Sequence, residues 1–528
     1  MQAADDQIVT HSRGRALAGA APAIVPALAA VLVYLNALHN PFVYDDYHTV
    51  VQNTSIQRLW NLRGIVLHDV TRPIVNLSYA IDRRVWGPAP FGFHATNLLL
   101  HAMNVLLLFL FARATYRDAW IDASVVSGFS RTVGRTNLMA FAAALLLAVH
   151  PMMTEAVGYV SGRSELLCGG FFFLALMAGR RWLRGDGMRW AVATILLWLE
   201  SLASKEIGAM FPFVLALDDA LVAAPPSDER RRRWLTVHLP LIGVAVIAGL
   251  VRIAILTRIE SPGQAVVHWP YALVALDVIR RYLGLMVYPR NQTLFHAVPG
   301  IDGFFEMRAI GAVLLVGLMV WTAWKLRRDA GTVSFGILWF LLVLAPSAAL
   351  TVLDQGEPMA EHRVYLASCG LFLAAGDGIG RLSAWAENAE ASARPVVPLL
   401  VTIVALSFGF ETVARNAVWS SPASIWRESV TLAPTHYRPH LLLGEALQDE
   451  GRRDAAIQEY KTAIRLRPED PTGYIKLGAL LLVMGHVDEA RQNYVKAVEV
   501  DPHNDTARRG LEFLKHVSDA HGFDGDRS

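Results

Sequence analysis

Residues 22–48 read PAIVPALAAVLVYLNALHNPFVYDDYH. The apolar part belongs to a run over 17–38, preceded by Arg13 and Arg15. That run is too long for a typical signal-peptide core and meets no small-residue cleavage site before the acidic loop, so it reads as a retained membrane span. The polar part, Asn40 to His48, follows directly and should sit at a membrane surface. Interfacial aromatics such as Tyr44 and Tyr47 are expected at either face of a membrane protein. The adjacent acids Asp45 and Asp46 are not needed for anchoring. Like charges this close raise at least one pKa, which suits a proton acceptor or a cation site. From the dipeptide alone, a solvated loop capping the next short helix is an equal reading.

Working outward, the chain of 528 residues is 54% hydrophobic and 18% charged, with mean hydropathy +0.35. That is too apolar for an ordinary soluble domain and excludes a disordered chain. The formal net charge of +2 gives no basis for nucleic-acid binding. Cys168 and Cys369 lie in apolar runs and read as small buried residues rather than a disulfide. No Cys or His cluster has zinc-site spacing. The Ala- and Arg-rich usage suggests a bacterial source, hence an inner-membrane location.

Runs able to cross a bilayer fall at 17–38, 95–113, 137–150, 165–181, 189–204, 206–222, 234–256, 306–324, 332–351, 364–380 and 396–413, about eleven spans. The run 271–288 carries Asp277, Arg280 and Arg281 and is placed at the interface. With the tail 1–16 in the cytoplasm, the basic clusters from Arg113 to Arg135, Arg180 to Arg189, Arg230 to Arg233 and Lys325 to Arg328 share one side, as the positive-inside rule requires. The opposite face then receives the first outer loop 39–94, the later loops carrying the other polar groups, and the C-terminus.

After about 414 the pattern changes. Pro434, Pro468 and Pro502 are 34 apart, and so are Gly444 and Gly478, Ala456 and Ala490, and Tyr460 and Tyr494. Small residues where two helices cross, aromatics in the groove and a closing Pro make the tetratricopeptide pattern. The units are about 437–470 and 471–504, within an extracytoplasmic domain 414–517 and before a frayed tail 518–528. The fold class is therefore all-α: a polytopic helical membrane domain, 17–413, then a tetratricopeptide-repeat α-solenoid.

The outer face collects Asp45, Asp46, Arg72, His94, Glu155, Arg163, Lys205, Glu206, Glu361, His362 and Arg363. Acids and bases converging at span ends suggest a site for an anionic, membrane-borne substrate. The cations would hold phosphate, and an acid would take a proton from an incoming nucleophile. Each residue also has a bland reading: His94 as a packed interfacial group, Lys205-Glu206 as a simple ion pair, Glu361 to Arg363 as a solvated loop end, Arg72-Pro73 as a helix start. Asn53, Asn76 and Asn291 fall in N-x-S/T sequons, read as chance.

These residues come in stretches: Asn40-Pro-Phe-Val-Tyr-Asp-Asp46, Arg72-Pro-Ile-Val-Asn-Leu-Ser-Tyr79, Gly92-Phe-His-Ala-Thr-Asn-Leu-Leu-Leu-His101, His150-Pro-Met-Met-Thr-Glu-Ala-Val-Gly-Tyr-Val-Ser-Gly-Arg-Ser-Glu-Leu-Leu167, Ser204-Lys-Glu206 and Glu361-His-Arg-Val-Tyr-Leu-Ala-Ser368. Their order, with the repeats behind them, resembles the transmembrane-and-tetratricopeptide-repeat O-mannosyltransferases over nearly the whole chain. The resemblance implies a GT-C glycosyltransferase that moves a mannose-like hexose from a polyprenyl-phosphate donor to an acceptor hydroxyl, with inversion, outside the cytoplasm. It implies Asp45 or Asp46 as base. Arg363, helped by Arg72, Arg163 or Lys205, would hold the phosphate, with Glu155, Glu361 and His94 about the donor. No cofactor is required; Asp45 and Asp46 are the pair for a divalent metal if one is used. The partners are the donor lipid, an acceptor polypeptide or glycan, membrane lipids and a protein at the repeats. The alternatives are a lipid-diphosphate oligosaccharide ligase, a non-catalytic repeat scaffold and a transporter.

Overall fold

The computed structural model describes residues 22–121, 129–255, 257–258, 268–353, 357–389 and 395–522. The expected tail 1–16 and residues 523–528 of the terminal tail lie outside them. Among the described residues the regular elements are all helical. Contacts divide the chain into two units, one of 1–292 with 298–420 and one of 293–297 with 421–528.

The first unit begins with α1 (Pro22–His39). It continues through α2 (Leu62–His68), α3 (Pro73–Trp86), α4 (Pro90–Ile121), α5 (Phe129–Val149), α6 (Thr154–Gly158), α7 (Arg163–Leu183) and α8 (Met188–Leu202). Next come α9 (Phe211–Asp218), α10 (Ser227–Arg233), α11 (Leu239–Ile255), α12 (Pro270–Val287), α13 (Met307–Leu326), α14 (Gly331–Val352), α15 (Tyr365–Ala389) and α16 (Val396–Val418).

Among the described residues, seven helices are long and apolar enough to cross a membrane: Pro22–His39, Pro90–Trp120, Val160–Leu183, Ser227–Ile255, Met307–Leu326, Gly331–Val352 and Val396–Val418. An eighth is counted if Gly134–Val149 and Pro151–Gly158, bent by 56°, act together. The expected runs at 189–204, 206–222 and 364–380 do not reach that length and hydropathy. The first is only the 15-residue α8. The second breaks into a 3-10 turn, Glu206–Met210, the short α9 and a π turn, Asp219–Ala223. The third, α15, is long, but Asp377 and Arg381 interrupt its apolar run. In α12, Arg280 and Arg281 neutralise Asp277 at 2.6 and 2.8 Å.

The core of this unit is aromatic. Trp339 packs against Phe172, Phe173, Phe335 and Phe111 with ring centroids 5.5 to 5.9 Å apart, and all five are fully buried. Beside it α14 and α15 cross backbone to backbone, because a Cβ at Gly336 or at Gly370 would overlap the carbonyl oxygen of the other.

The second unit holds α17 (Pro422–Leu432), α18 (Tyr437–Asp449), α19 (Arg453–Leu466), α20 (Pro471–Val483), α21 (Val487–Val500) and α22 (Asp505–Gly522). The pairs α18–α19 and α20–α21 occupy the two sequence repeats. Ala456, Tyr460, Ala463, Ala490, Tyr494 and Ala497 are the buried residues of the two second helices. The short strip 293–297 belongs to this unit: Thr293 and Ser429 hydroxyls meet at 2.8 Å, and Phe295 lies 5.0 Å from the His436 ring.

Candidate functional site

The loop after α1 is pinned by one buried carboxylate. Asp46 is fully buried. Its Oδ2 accepts the Val43 N–H at 3.1 Å. Its Oδ1 accepts both the N–H and the hydroxyl of Ser161, at 2.8 and 2.7 Å. Burial pushes the Asp46 carboxyl up to about 7, although the Ser161 and Val43 donors pull the other way. Two further bonds fasten the loop to the same turn. The Asp45 N–H donates to Tyr159 Oη at 2.9 Å, and the Thr49 and Ser161 hydroxyls meet at 2.9 Å. The chain enters through Tyr44 at φ 49°, a left-handed conformation that a bulky residue holds only under surrounding constraint. The result is a split of the acidic pair: Asp46 is consumed by structure, and the Asp45 side chain is exposed.

Asp45 lines a cavity of about 260 Å³. His48, Thr49, His68, Asp69, Arg72, Tyr159, Ser161, Ser164, Lys205 and His362 share its wall. Four distant parts of the chain therefore meet here: the first loop, the turn before α7, the turn after α8 and the turn before α15. Arg72, just ahead of Pro73 at the start of α3, pairs with Glu206 at 3.2 Å, with side chains 38% and 34% exposed. Lys205 is deeper, 2.7 Å from Glu165, with side chains 5% and 0% exposed. Glu165 takes one side of the Lys205 amino group, and its other N–H donors remain for a ligand.

The turn that carries Ser161 is tight. A Cβ at Gly162 would lie 2.6 Å from the Ala156 carbonyl oxygen and 2.8 Å from that of Glu155. Directly after it Arg163 turns inward and is fully buried. It bonds Asp82 at 2.6 Å, the Asn97 side chain at 2.8 Å and the Phe93 carbonyl at 2.8 Å, and lies 4.7 Å over the Tyr79 ring.

Of the residues singled out in sequence, Asp45, Arg72, Lys205 and His362 line the cavity; Asp46, His94, Glu155, Arg163, Glu206, Glu361 and Arg363 do not. Arg163, expected at the phosphate, has its guanidinium bonded to Asp82, Asn97 and the Phe93 carbonyl, away from the cavity wall. His94 is buried and bonds the Asn40 carbonyl at 3.0 Å, fixing the loop entry. Glu361 is buried and accepts from Gln292 Nε2 at 2.7 Å. Arg363 donates to the Glu357 carbonyl at 2.8 Å. Glu155 stands behind His362, Oε1 to Nδ1 2.5 Å, while its Oε2 accepts the Glu361 N–H at 2.8 Å.

The expected metal pair is also split, since the two Asp carboxylates do not both face the cavity. Among the described residues no group of three or more His, Cys, Asp or Glu side chains is placed to hold a metal ion. Two of the sequon residues are buried in the fold: the Asn53 amide donates to Asn76 Oδ1 at 2.8 Å.

The sequence reading passed over His48, His68, Asp69 and Ser161 as site residues. His362 is collected with the outer-face residues but given no role there. For Ser161 and Tyr159 there was no signal beyond position in the 150–167 stretch.

Fold and site together define a polytopic helical membrane protein with an acid–base cavity and a C-terminal repeat solenoid. Models described as "TPR repeat" and "Tetratricopeptide repeat" match residues 444–485 and 471–504. The chain is 25% identical to Protein O-mannosyl-transferase TMTC1 of Homo sapiens over 88% of its own length and 57% of that protein. It is 23% identical to Protein O-mannosyl-transferase F38B6.6 of Caenorhabditis elegans over 83% of its length and 61% of the relative's. It is 25% identical to Protein O-mannosyl-transferase Tmtc3 of Drosophila melanogaster over 84% and 55%. Its homologues are thus the transmembrane-and-tetratricopeptide-repeat protein O-mannosyltransferases, and the chain spans 55% to 61% of the length of these three.

Proposed function

We propose that the chain is a membrane glycosyltransferase. It moves a mannose-like hexose from a polyprenyl-phosphate donor to a hydroxyl on an acceptor polypeptide, at the extracytoplasmic face and with inversion at the anomeric carbon. The observation that carries this reading is one cavity that sets the exposed Asp45 carboxylate among the same walls as the cations of Arg72 and Lys205. The relatives' names supply the sugar and the acceptor class.

In this mechanism Asp45 takes the proton of the acceptor hydroxyl as the oxygen attacks the anomeric carbon. Positive charge grows on the sugar and negative charge on the departing lipid phosphate. Lys205 and Arg72 stabilise that phosphate. Lys205 is held ready by Glu165; Arg72 exchanges Glu206 for the phosphate or shares it. Asp46 does not touch substrate and holds the Asp45 turn against Ser161. A volume of about 260 Å³ lies just under the roughly 300–1,000 Å³ of small-molecule sites. It suits one hexosyl phosphate rather than an oligosaccharide diphosphate. The repeat unit presents the acceptor or a partner protein through its concave surface.

The test is transfer of label from a panel of polyprenyl-phosphate hexoses in membranes. Wild type should transfer, and Asp45→Asn should lose about 10²–10⁴-fold while inserting and folding normally. An Asp45→Asn protein of full activity would overturn the assignment of the base, and a wild type inactive with every donor would overturn the donor class.

A further inference from the structure

His362, like His48, His68 and Asp69, is an ionisable group of the cavity wall that this mechanism leaves without a task. It lines the cavity beside Lys205, and its side chain is 23% exposed. Nδ1 meets Glu155 Oε1 at 2.5 Å. Glu155 is itself 2% exposed and braced by the Glu361 N–H. No described residue bonds His362 Nε2. An imidazole whose Nδ1 is held by a buried carboxylate, with Nε2 left for a ligand, is the arrangement of a proton-transfer group.

The charges around it say when it titrates. Lys205, Arg72 and Arg363 are the cations that act on it, with Glu155 and Glu165 opposing them. Glu206 partners Arg72 and Glu361 is its chain neighbour; Asp45, Asp69, His48 and His68 share the cavity wall. Burial, then Lys205, then Arg363 and Arg72 push the empty-site imidazole down to about 3, so it is neutral at rest. An anion that neutralises Lys205 and Arg72 removes the repulsion and adds an attraction. Glu155 is already in place to hold the imidazolium.

The geometry points to His362, held by Glu155, as a second catalytic residue: it takes up a proton when the phosphate binds and gives it to the leaving phosphate. This rests on the reading of Lys205 and Arg72 as the phosphate wall. The balance is complete. The bond from the anomeric carbon to the phosphate oxygen breaks, and its electron pair leaves with that oxygen. The bond to the acceptor oxygen forms, and the hydroxyl proton passes to the Asp45 carboxylate. The leaving phosphate takes the Nε2 proton and departs as a monoanion, with no net change of charge. Asp45 then releases its proton to water, and His362 recovers one with the next donor.

The test uses the full chain in lipid nanodiscs and sulfate as probe, since sulfate stays a dianion throughout. Affinity is measured between about pH 6 and 8. In wild type it should strengthen about tenfold for each unit the pH falls, one proton entering with each anion. His362→Gln should bind more weakly and without that slope. Glu155→Gln should move the slope to lower pH. The double variant His48→Gln, His68→Gln should keep it, and Arg72→Met should weaken binding at every pH. Sulfate binding in wild type without the slope, or a slope retained in His362→Gln, overturns the role of His362 and leaves the phosphate wall standing. A wild type that binds no sulfate overturns the wall and this inference together.

Discussion

The repeat unit and the cavity are built in opposite ways. In the repeat unit each helix packs on its neighbour in the chain, so Tyr460 of α19 fills the groove left by Gly444 of α18. The cavity wall draws on the first loop, the 159–164 turn, Lys205 and His362, segments separated by tens to hundreds of residues. Near-neighbour packing repeats, and so leaves a period in the sequence. Long-range assembly leaves none. The difference predicts which substitutions stay local and which spread.

The largest effect belongs to Asp45→Asn, the loss of about 10²–10⁴-fold in transfer with an unchanged melting temperature. It would show that chemistry and support are divided between the two neighbouring acids. Next is Arg163→Met. It leaves Asp82 buried without its partner, which costs about 3–5 kcal/mol and should lower the thermal unfolding midpoint of the whole membrane unit in detergent. A variant that melts like wild type yet no longer transfers would return Arg163 to the substrate and break the division drawn here.

Asp46→Asn sharpens the comparison further. An amide cannot accept from Val43 and Ser161 with both of its polar atoms, and a buried donor facing a donor costs about 1–3 kcal/mol. The pH dependence has a sign. The folded Asp46 carboxyl at about 7 lies above its ordinary 3.8, so the folded state holds the proton more tightly. The stability from this group is full below about pH 4 and is lost as pH rises through about 7. Unfolding midpoints of wild type should fall across that window, and those of Asp46→Asn should not.

The smallest effect should stay inside the repeats. A Cβ at Gly444 would stand 2.6 Å from the Tyr460 ring, whereas one at Gly478 would stand 3.3 Å from the Ala490 carbonyl oxygen and the Tyr494 ring. Gly444→Ala should cost about 1–3 kcal/mol by overpacking, and Gly478→Ala less. Both should shift only the repeat unit's melting transition and leave transfer to a small hydroxyl acceptor intact. Equal losses in the two variants would mean that the repeats are not packed by the same rule.

Much of the architecture was legible. The 34-residue spacing located both helix pairs, and hydropathy located most of the long apolar helices. The runs at 189–204, 206–222 and 364–380 are not among the long apolar helices, because a hydropathy run records composition while the chain there shortens, breaks into 3-10 and π turns or admits charge. Of the groups the sequence brings out by chemistry alone, Asp45, Arg72, Lys205 and His362 line the cavity. The sequence also brought out Arg163, whose chemistry is equally suitable but whose side chain points into the core.

What the sequence by itself determined is what depends on near neighbours: apolar segments, repeats and the supply of acids and cations at segment ends. What only the tertiary structure decided is which way each of those groups faces. Asp45 and Asp46 are adjacent and chemically identical, and no local rule separates them. The separation comes from Ser161, more than a hundred residues away, whose N–H and hydroxyl capture one carboxylate and leave the other to the cavity.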